Sequence, residues 1–183
     1  MKGNEKVLVT GAPGSGKTTL VIKVADFLKR NGVKFGGVIT PEIRSHGRRI
    51  GFKAVDLNTG ESKVIAGINI KSNFTVGKYY VYIDAIDGFL CKVLKDAMED
   101  SEVILVDEIG KMEMLSRNFR ELVLKLFSSN FFVLATVGLP FRNFFKKYNL
   151  RYELIFISRN TREVVYSRLI KLLKENLGLN GES

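Results

Sequence analysis

The sequence predicts an α/β fold: a mainly parallel sheet with helices on both faces and an inserted β-hairpin. Three observations predict it. Short aliphatic and β-branched runs alternate with longer helical stretches, the pattern of strands joined by helical crossovers. The first such run is joined to the first helical stretch by a loop holding Gly11, Gly14 and Gly16. Residues 50–57 and 61–66 flank Asn58-Thr59-Gly60, which signals a hairpin rather than a crossover.

In chain order, residues 6–10 read as a buried strand and residues 17–30 as a helix ended by Asn31-Gly32. Residues 33–40 form a second strand closed by Pro41, and the hairpin follows. Residues 79–83 are another strand. Asp87 is placed to cap a helix running to about Glu99. Residues 103–106 are four consecutive β-formers, as expected for a strand covered on both faces. A helix over 116–127, strands over 131–136 and 154–157, and a helix over 161–177 complete the set.

The 183 residues suit one domain, 1–183, with a full core, and no internal repeat or linker divides them. Hydrophobic residues at 45% and charged residues at 26% exclude a disordered chain. No apolar run approaches bilayer length, so no membrane partner is expected. Residues 1–6 lead into a run too short for a signal-peptide core, and nothing points to export. The single cysteine, Cys91, reads as a buried core thiol, which fits a reducing cytoplasm. A formal net charge of +10 suits an ordinary basic surface or a nucleic-acid or phosphorylated partner. His46 is the only histidine, with no His or Cys near it in sequence, so a surface residue is expected rather than a metal ligand.

The chemistry begins at Gly11-Ala12-Pro13-Gly14-Ser15-Gly16-Lys17-Thr18, a complete G-x-x-x-x-G-K-[ST] phosphate loop. Its glycines let successive N–H groups turn inward toward phosphate oxygens, and the following helix adds the positive end of its dipole. Backbone amides from Ala12 to Thr19 are expected to hold the phosphates. Lys17 supplies a point charge to the β- and γ-phosphates, and the Thr18 hydroxyl a ligand for Mg²⁺. The second motif is Val103-Ile104-Leu105-Val106-Asp107-Glu108. An apolar strand ending in Asp supports Mg²⁺ beside such a loop, and the neighbouring Glu108 can polarise water for attack on the γ-phosphate.

Four strings carry a resemblance: residues 11–19, Thr40-Pro41-Glu42-Ile43-Arg44, Gly47-Arg48-Arg49-Ile50-Gly51-Phe52 and Asp107-Glu108-Ile109-Gly110-Lys111-Met112-Glu113. They resemble the small P-loop nucleoside-triphosphatases of thermophiles, relatives of human cancer-related NTPase, over most of the chain. The resemblance implies a single-domain P-loop NTPase with Mg²⁺-dependent hydrolysis of ATP, GTP and other triphosphates and loose base selectivity. Gly110 and Lys111 join the nucleotide-binding set on the same ground. Two positions depart from the family's pattern. Gly138 stands where a polar or histidine side chain is expected near the γ-phosphate, and Arg159-Asn160-Thr161-Arg162 stands where an Asn-Arg pair is usual.

Arg44, Arg48 and Arg49 follow the second strand. One of them could neutralise charge in the transition state or hold a phosphorylated second substrate, or all three could be solvated. Glu113 reads equally as a support near Lys111 or as a plain surface carboxylate. Phe131, Phe132, Phe141, Phe144 and Phe145 read mainly as core aromatics. Two other functions fit the motifs: a nucleotide or polynucleotide kinase with an acceptor pocket at residues 44–49, and a nucleotide-dependent switch that drives a partner.

Overall fold

Nine of the strands form one continuous path in a single sheet, and its order explains where the phosphate loop lies. The structure, a computed structural model, describes residues 5–179; residues 1–4 of the opening stretch discussed above lie outside the described residues. The strands are β1 (Lys6–Thr10), β2 (Phe35–Ile39), β3 (Glu42–Ser45), β4 (Arg48–Asp56), β5 (Ser62–Gly67), β6 (Phe74–Val76), β7 (Tyr79–Val81), β8 (Val103–Ile109), β9 (Phe132–Val137) and β10 (Glu153–Phe156). The helices are α1 (Lys17–Arg30), α2 (Ile83–Ala85), α3 (Cys91–Asp100), α4 (Arg117–Phe127) and α5 (Arg162–Leu177). The strand order is β10-β1-β9-β8-β2-β4-β5-β7-β6, with β3 paired to β4. From β10 to β2 every pairing is parallel. From β2 onward every pairing is antiparallel.

Period-2 alternation along the parallel strands sorts their side chains into two cores. Val7, Val9, Val103, Leu105, Phe132 and Leu134 face one side. There they meet Leu20, Val21, Val24 and Leu28 of α1 and Val165, Leu169 and Leu173 of α5. Leu8, Ile104, Val106, Val133 and Ala135 face the other, against Cys91 and Leu94 of α3 and Phe119, Val123 and Leu126 of α4. Burial on both faces is why these strands read as unbroken apolar runs. Gly36 allows α3 a close approach to the sheet, since a Cβ there would lie 2.5 Å from the Ala97 Cβ.

The helix boundaries of α1 match the sequence reading, and Asn31-Gly32 ends it with Gly32 at φ 66°. Asp87 does not cap a helix, contrary to expectation. The helical run starts earlier, at Ile83, because the apolar spacing Ile83, Ile86, Leu90 already faces the core, and a π turn over Ile86–Leu90 joins α2 to α3. Asp87 sits inside that turn and accepts hydrogen bonds from Ser116 Oγ and Asn118 Nδ2, which anchors the start of α4. The hairpin at Asn58-Thr59-Gly60 is present, with Gly60 at φ 74°. It belongs to a larger antiparallel arm that also contains β3, β6 and β7. The strand expected at 79–83 is β7 of that arm rather than a parallel strand. No helix among the described residues is long and apolar enough to cross a membrane.

Candidate active site

The C-terminal end of β1 opens into the phosphate loop with little room to spare. Thr10 is buried and donates its hydroxyl to Val137 O at 2.9 Å. A Cβ at Gly11 would run into Ile157 O, so only glycine fits there. Gly14 at φ 76° and Gly16 at φ 103° adopt left-handed conformations, and Ser15 N donates to Ala12 O at 3.0 Å. Helix α1 then starts at Lys17 with no side-chain cap and no acidic residue in its first turn. Its first N–H groups, with those of the loop other than Pro13 and the engaged Ser15, form a donor-rich concavity suited to an anion.

Five side chains meet over that concavity: Lys17, Thr18, Asp107, Glu108 and Thr136. Lys17, only 9% exposed, donates from Nζ to Gly11 O at 3.1 Å, and the same Nζ lies 3.6 Å from Glu108 Oε2. Thr18 Oγ1 donates to Asp107 Oδ2 at 2.7 Å, and Thr136 Oγ1 donates to Asp107 Oδ1 at 2.5 Å. Asp107 is 1% exposed, whereas Glu108 keeps about a third of its side chain open, 35%. Glu108 N donates to Thr40 Oγ1 at 3.1 Å, so the end of β2 fixes the turn that presents its carboxylate.

Burial pushes the Asp107 carboxyl upward, opposed by the hydroxyls of Thr136 and Thr18 and the charge of Lys17. Burial also raises Glu108; Lys17 opposes this and Asp107 adds to it. Glu113, buried, is pushed up to about 8, chiefly by burial and further by the charges of Glu108 and Asp107. Its own N–H and that of Gly110 oppose the shift. Desolvated carboxylates facing one buried lysine favour an added cation. Hard oxygen donors on Thr18 and Asp107, 2.7 Å apart, suit Mg²⁺ shared with phosphate oxygens.

The sequence profile of the family described as NTPase matches residues 6–170. The chain belongs to that family. NTPase relatives include nucleoside-triphosphatase THEP1 of Methanocaldococcus jannaschii, 37% identical over 172 residues, covering 94% of this chain and 99% of that protein. THEP1 of Thermotoga maritima is 38% identical, covering 94% and 98%. Among solved structures, THEP1 from the hyperthermophile Aquifex aeolicus matches with TM-score 0.80 and 31% identity over 92% of this chain and 99% of that one. A human cancer-related nucleoside triphosphatase matches with TM-score 0.76 and 27% identity, covering 93% and 98%. Hydrolysis of nucleoside triphosphates is the activity that goes with this NTPase family.

Within this NTPase fold, the remaining candidates fall in different places. Gly110 is buried between the carboxylates: a Cβ on it would lie 2.9 Å from Glu113 Oε2 and 3.1 Å from Glu108 Oε1. Lys111, next to it, is exposed. Glu113 is not a surface carboxylate, being 6% exposed, because the turn after β8 folds it back beneath Gly110. Arg44 and Arg49 both bind Glu42, at 2.7 and 2.6 Å, and Arg49 also donates to the Tyr79 hydroxyl at 2.9 Å. Arg48 is exposed on the same hairpin. His46 is exposed in the hairpin turn, at φ 48° beside Gly47 at φ 75°. Phe132 and Phe145 are fully buried, and Phe145 stacks on Phe127 at 3.9 Å, as core aromatics do. Gly138 does face the site, since a Cβ there would lie 3.5 Å from Glu108 Oε1.

Sequence reasoning passed over Arg162, Thr136 and Thr40 as individual residues. Arg162 donates from Nε to Ser15 O at 2.7 Å and from Nη2 to Gly14 O at 3.0 Å. A Cβ at Gly16 would lie 2.6 Å from Arg162 Nε, so glycine is needed there for the arginine as well as for the turn. The available signal was positional, because all three follow or end a strand that points at the loop.

Proposed function

We propose that this protein hydrolyses nucleoside 5′-triphosphates, ATP and GTP among them, to diphosphate and phosphate, with Mg²⁺ as cofactor and water as acceptor. The observation that carries this reading is the 3.6 Å approach of Glu108 Oε2 to Lys17 Nζ. It brings a partly open carboxylate to the charge that receives the terminal phosphates. The loop amides and Lys17 hold the β- and γ-phosphates, and Thr18 and Asp107 hold the metal. Mg²⁺, when bound, neutralises charge on the β- and γ-oxygens. Glu108 accepts a hydrogen bond from water and aligns it with the γ-phosphorus. The water oxygen bonds to phosphorus as the β,γ-bridging bond breaks, the diphosphate leaves with that bond's electrons, and Glu108 takes the water proton. A cytoplasmic setting fits the buried free thiol of Cys91, pushed up to about 11 by burial.

A turnover panel tests the reading. Phosphate release is followed for ATP, GTP, CTP and UTP, with and without Mg²⁺, and with nucleoside monophosphates or 5′-hydroxyl oligonucleotides added. Release that needs Mg²⁺ but no acceptor supports it. Labelled acceptor in place of free phosphate would make the protein a kinase, and release seen only with a partner present would make it a switch.

A further inference from the structure

Between Glu121 and Glu153 the chain carries no carboxylate and five cations, Lys125, Arg142, Lys146, Lys147 and Arg151. They supply half of the formal net charge of +10, and the hydrolytic site uses none of them. The last four lie in the crossover from β9 to β10, where all are exposed. None of these four is paired with a carboxylate among the described residues. Unpaired charge of one sign on a surface repels itself and attracts a polyanion.

The crossover is also firmly seated. It is built of two 3₁₀ turns, Leu139–Phe141 and Phe144–Tyr148. Phe145 is buried on Phe127, and Tyr152 meets those two rings edge-on at 6.0 and 6.5 Å. The Tyr152 hydroxyl donates to Arg142 O at 3.1 Å, and Arg142 Nη1 donates to Leu139 O at 2.8 Å. On this base two rings stay open, Tyr148 at 45% exposure and Phe156 of β10 at 61%. Leu154, on the same strand face as Phe156, packs into the core that also holds Phe145. Phe156 therefore stands on the sheet face that the crossover covers. Lys147 Nζ lies 5.0 Å from the Tyr148 ring centroid, so charge and ring are presented together.

We propose that the β9–β10 crossover, with Phe156 beside it, is a docking surface for single-stranded nucleic acid. Arg142, Lys146, Lys147 and Arg151 follow the phosphates, while Tyr148 and Phe156 stack on bases. Fixed open rings among unpaired cations suit a strand whose base faces are free. A duplex hides those faces and would leave the rings idle. A lipid surface calls for an amphipathic helix, and turns of three and five residues do not make one. The crossover leaves β9 at Gly138, where a Cβ would lie 3.5 Å from Glu108 Oε1. A bound strand thus lies beside the hydrolytic end of the nucleotide site.

Fluorescence anisotropy of the full chain with labelled oligouridylate and oligothymidylate tests this over a range of KCl concentrations. No triphosphate is present, so the outcome is independent of hydrolysis. At least one of the two strands should bind. Lys146→Gln combined with Lys147→Gln should flatten the plot of log affinity against log salt by about 1.4 in slope. Tyr148→Ala and Phe156→Ala should each weaken binding by about fivefold or more and leave that slope unchanged. Unchanged urea midpoints should show that all the variants fold, and the lysine pair, wholly on the surface, tests the site even if a ring variant does not. Failure of both strands to bind, or an unaltered salt slope in the lysine variant, would overturn the proposal. So would a duplex bound as tightly as the single strand, or ring variants that lose heparin, which has no bases, to the same extent. Binding of phosphatidylserine–phosphatidylcholine vesicles in place of the oligonucleotides would make the surface a membrane contact instead.

Discussion

Thr18 donates its hydroxyl hydrogen to Asp107 Oδ2 at 2.7 Å, joining the first turn of α1 to β8 across 89 positions of sequence. The other Asp107 oxygen takes the Thr136 hydroxyl, so the carboxylate is fixed before any ligand arrives. Asp107→Asn should keep the fold and the nucleotide affinity measured without metal. It should shift the Mg²⁺ concentration for half-maximal turnover upward by about tenfold or more, because the metal's anionic support is gone. A Mg²⁺ titration of phosphate release reads this directly, and an unshifted midpoint would remove Asp107 from the metal site.

Lys17 is the buried cation of the loop, and its Nζ already rests on Gly11 O. Truncating one partner of a buried charge pair costs about 2–5 kcal/mol. Lys17→Ala should therefore lose at least about 30-fold in triphosphate affinity or in kcat/KM. Wild-type binding and turnover in this variant would contradict the phosphate-loop assignment.

The parts legible in sequence were those set by local rules. The phosphate loop and both ends of α1 follow from glycine conformation and helix punctuation within a few residues, and β8 from its apolar run. What stayed hidden depends on contacts distant in sequence. Arg162 reaches the loop across 147 and 148 positions, and no local pattern marks that pairing. Glu113 reads in sequence equally as a support near Lys111 or as a surface carboxylate, and only the turn after β8 shows it buried. The short strands β3 and β6 lack a buried stripe, being largely exposed, so alternation gave them no signal. Asp87 misled because a good capping residue was read without asking where the apolar spacing began.

Arg44 and Arg49 are neutralised by Glu42, which argues against either as a free transition-state cation. P-loop enzymes lacking such a cation turn over at about 10⁻⁴ to 10⁻³ per second. Single-turnover rates well below one per second are expected at moderate temperature. Alanine at Arg44, Arg48 or Arg49 should change the rate by less than about threefold. A drop of a hundredfold at one of them, with ground-state affinity intact, would identify that arginine as the missing cation.

Glu108→Gln separates binding from hydrolysis. The amide keeps the shape and loses the proton acceptor, whose contribution is typically about 10²- to 10⁴-fold. Affinity for the Mg²⁺-triphosphate should hold or tighten slightly, since a negative charge beside Lys17 and the γ-phosphate disappears. The unhydrolysed complex should accumulate. Turnover within a few-fold of wild type would take Glu108 out of the hydrolytic step.

Glu113 gives a prediction about stability rather than rate. Its carboxyl titrates near 8 in the folded protein, against 4.5 ordinarily, so the folded state holds the proton more tightly than the unfolded chain does. For a raised carboxyl the stabilising contribution is fully present below the unfolded value and is lost as pH rises through the folded one. Between about pH 4.5 and 8, unfolding releases a proton, and stability falls with pH by several kcal/mol in all. Above that window both states are ionised and the buried charge is a constant cost, increased by Glu108 and Asp107 nearby. Glu113→Gln removes the titrating group while preserving its volume. Wild type and variant should therefore have similar urea midpoints at pH 5. The variant should become progressively more stable than wild type through pH 7 to pH 9. Taking the difference between the two proteins at each pH cancels the titration of groups they share. A difference that stays flat from pH 5 to 9 would mean Glu113 ionises normally and is not the desolvated carboxyl beneath Gly110.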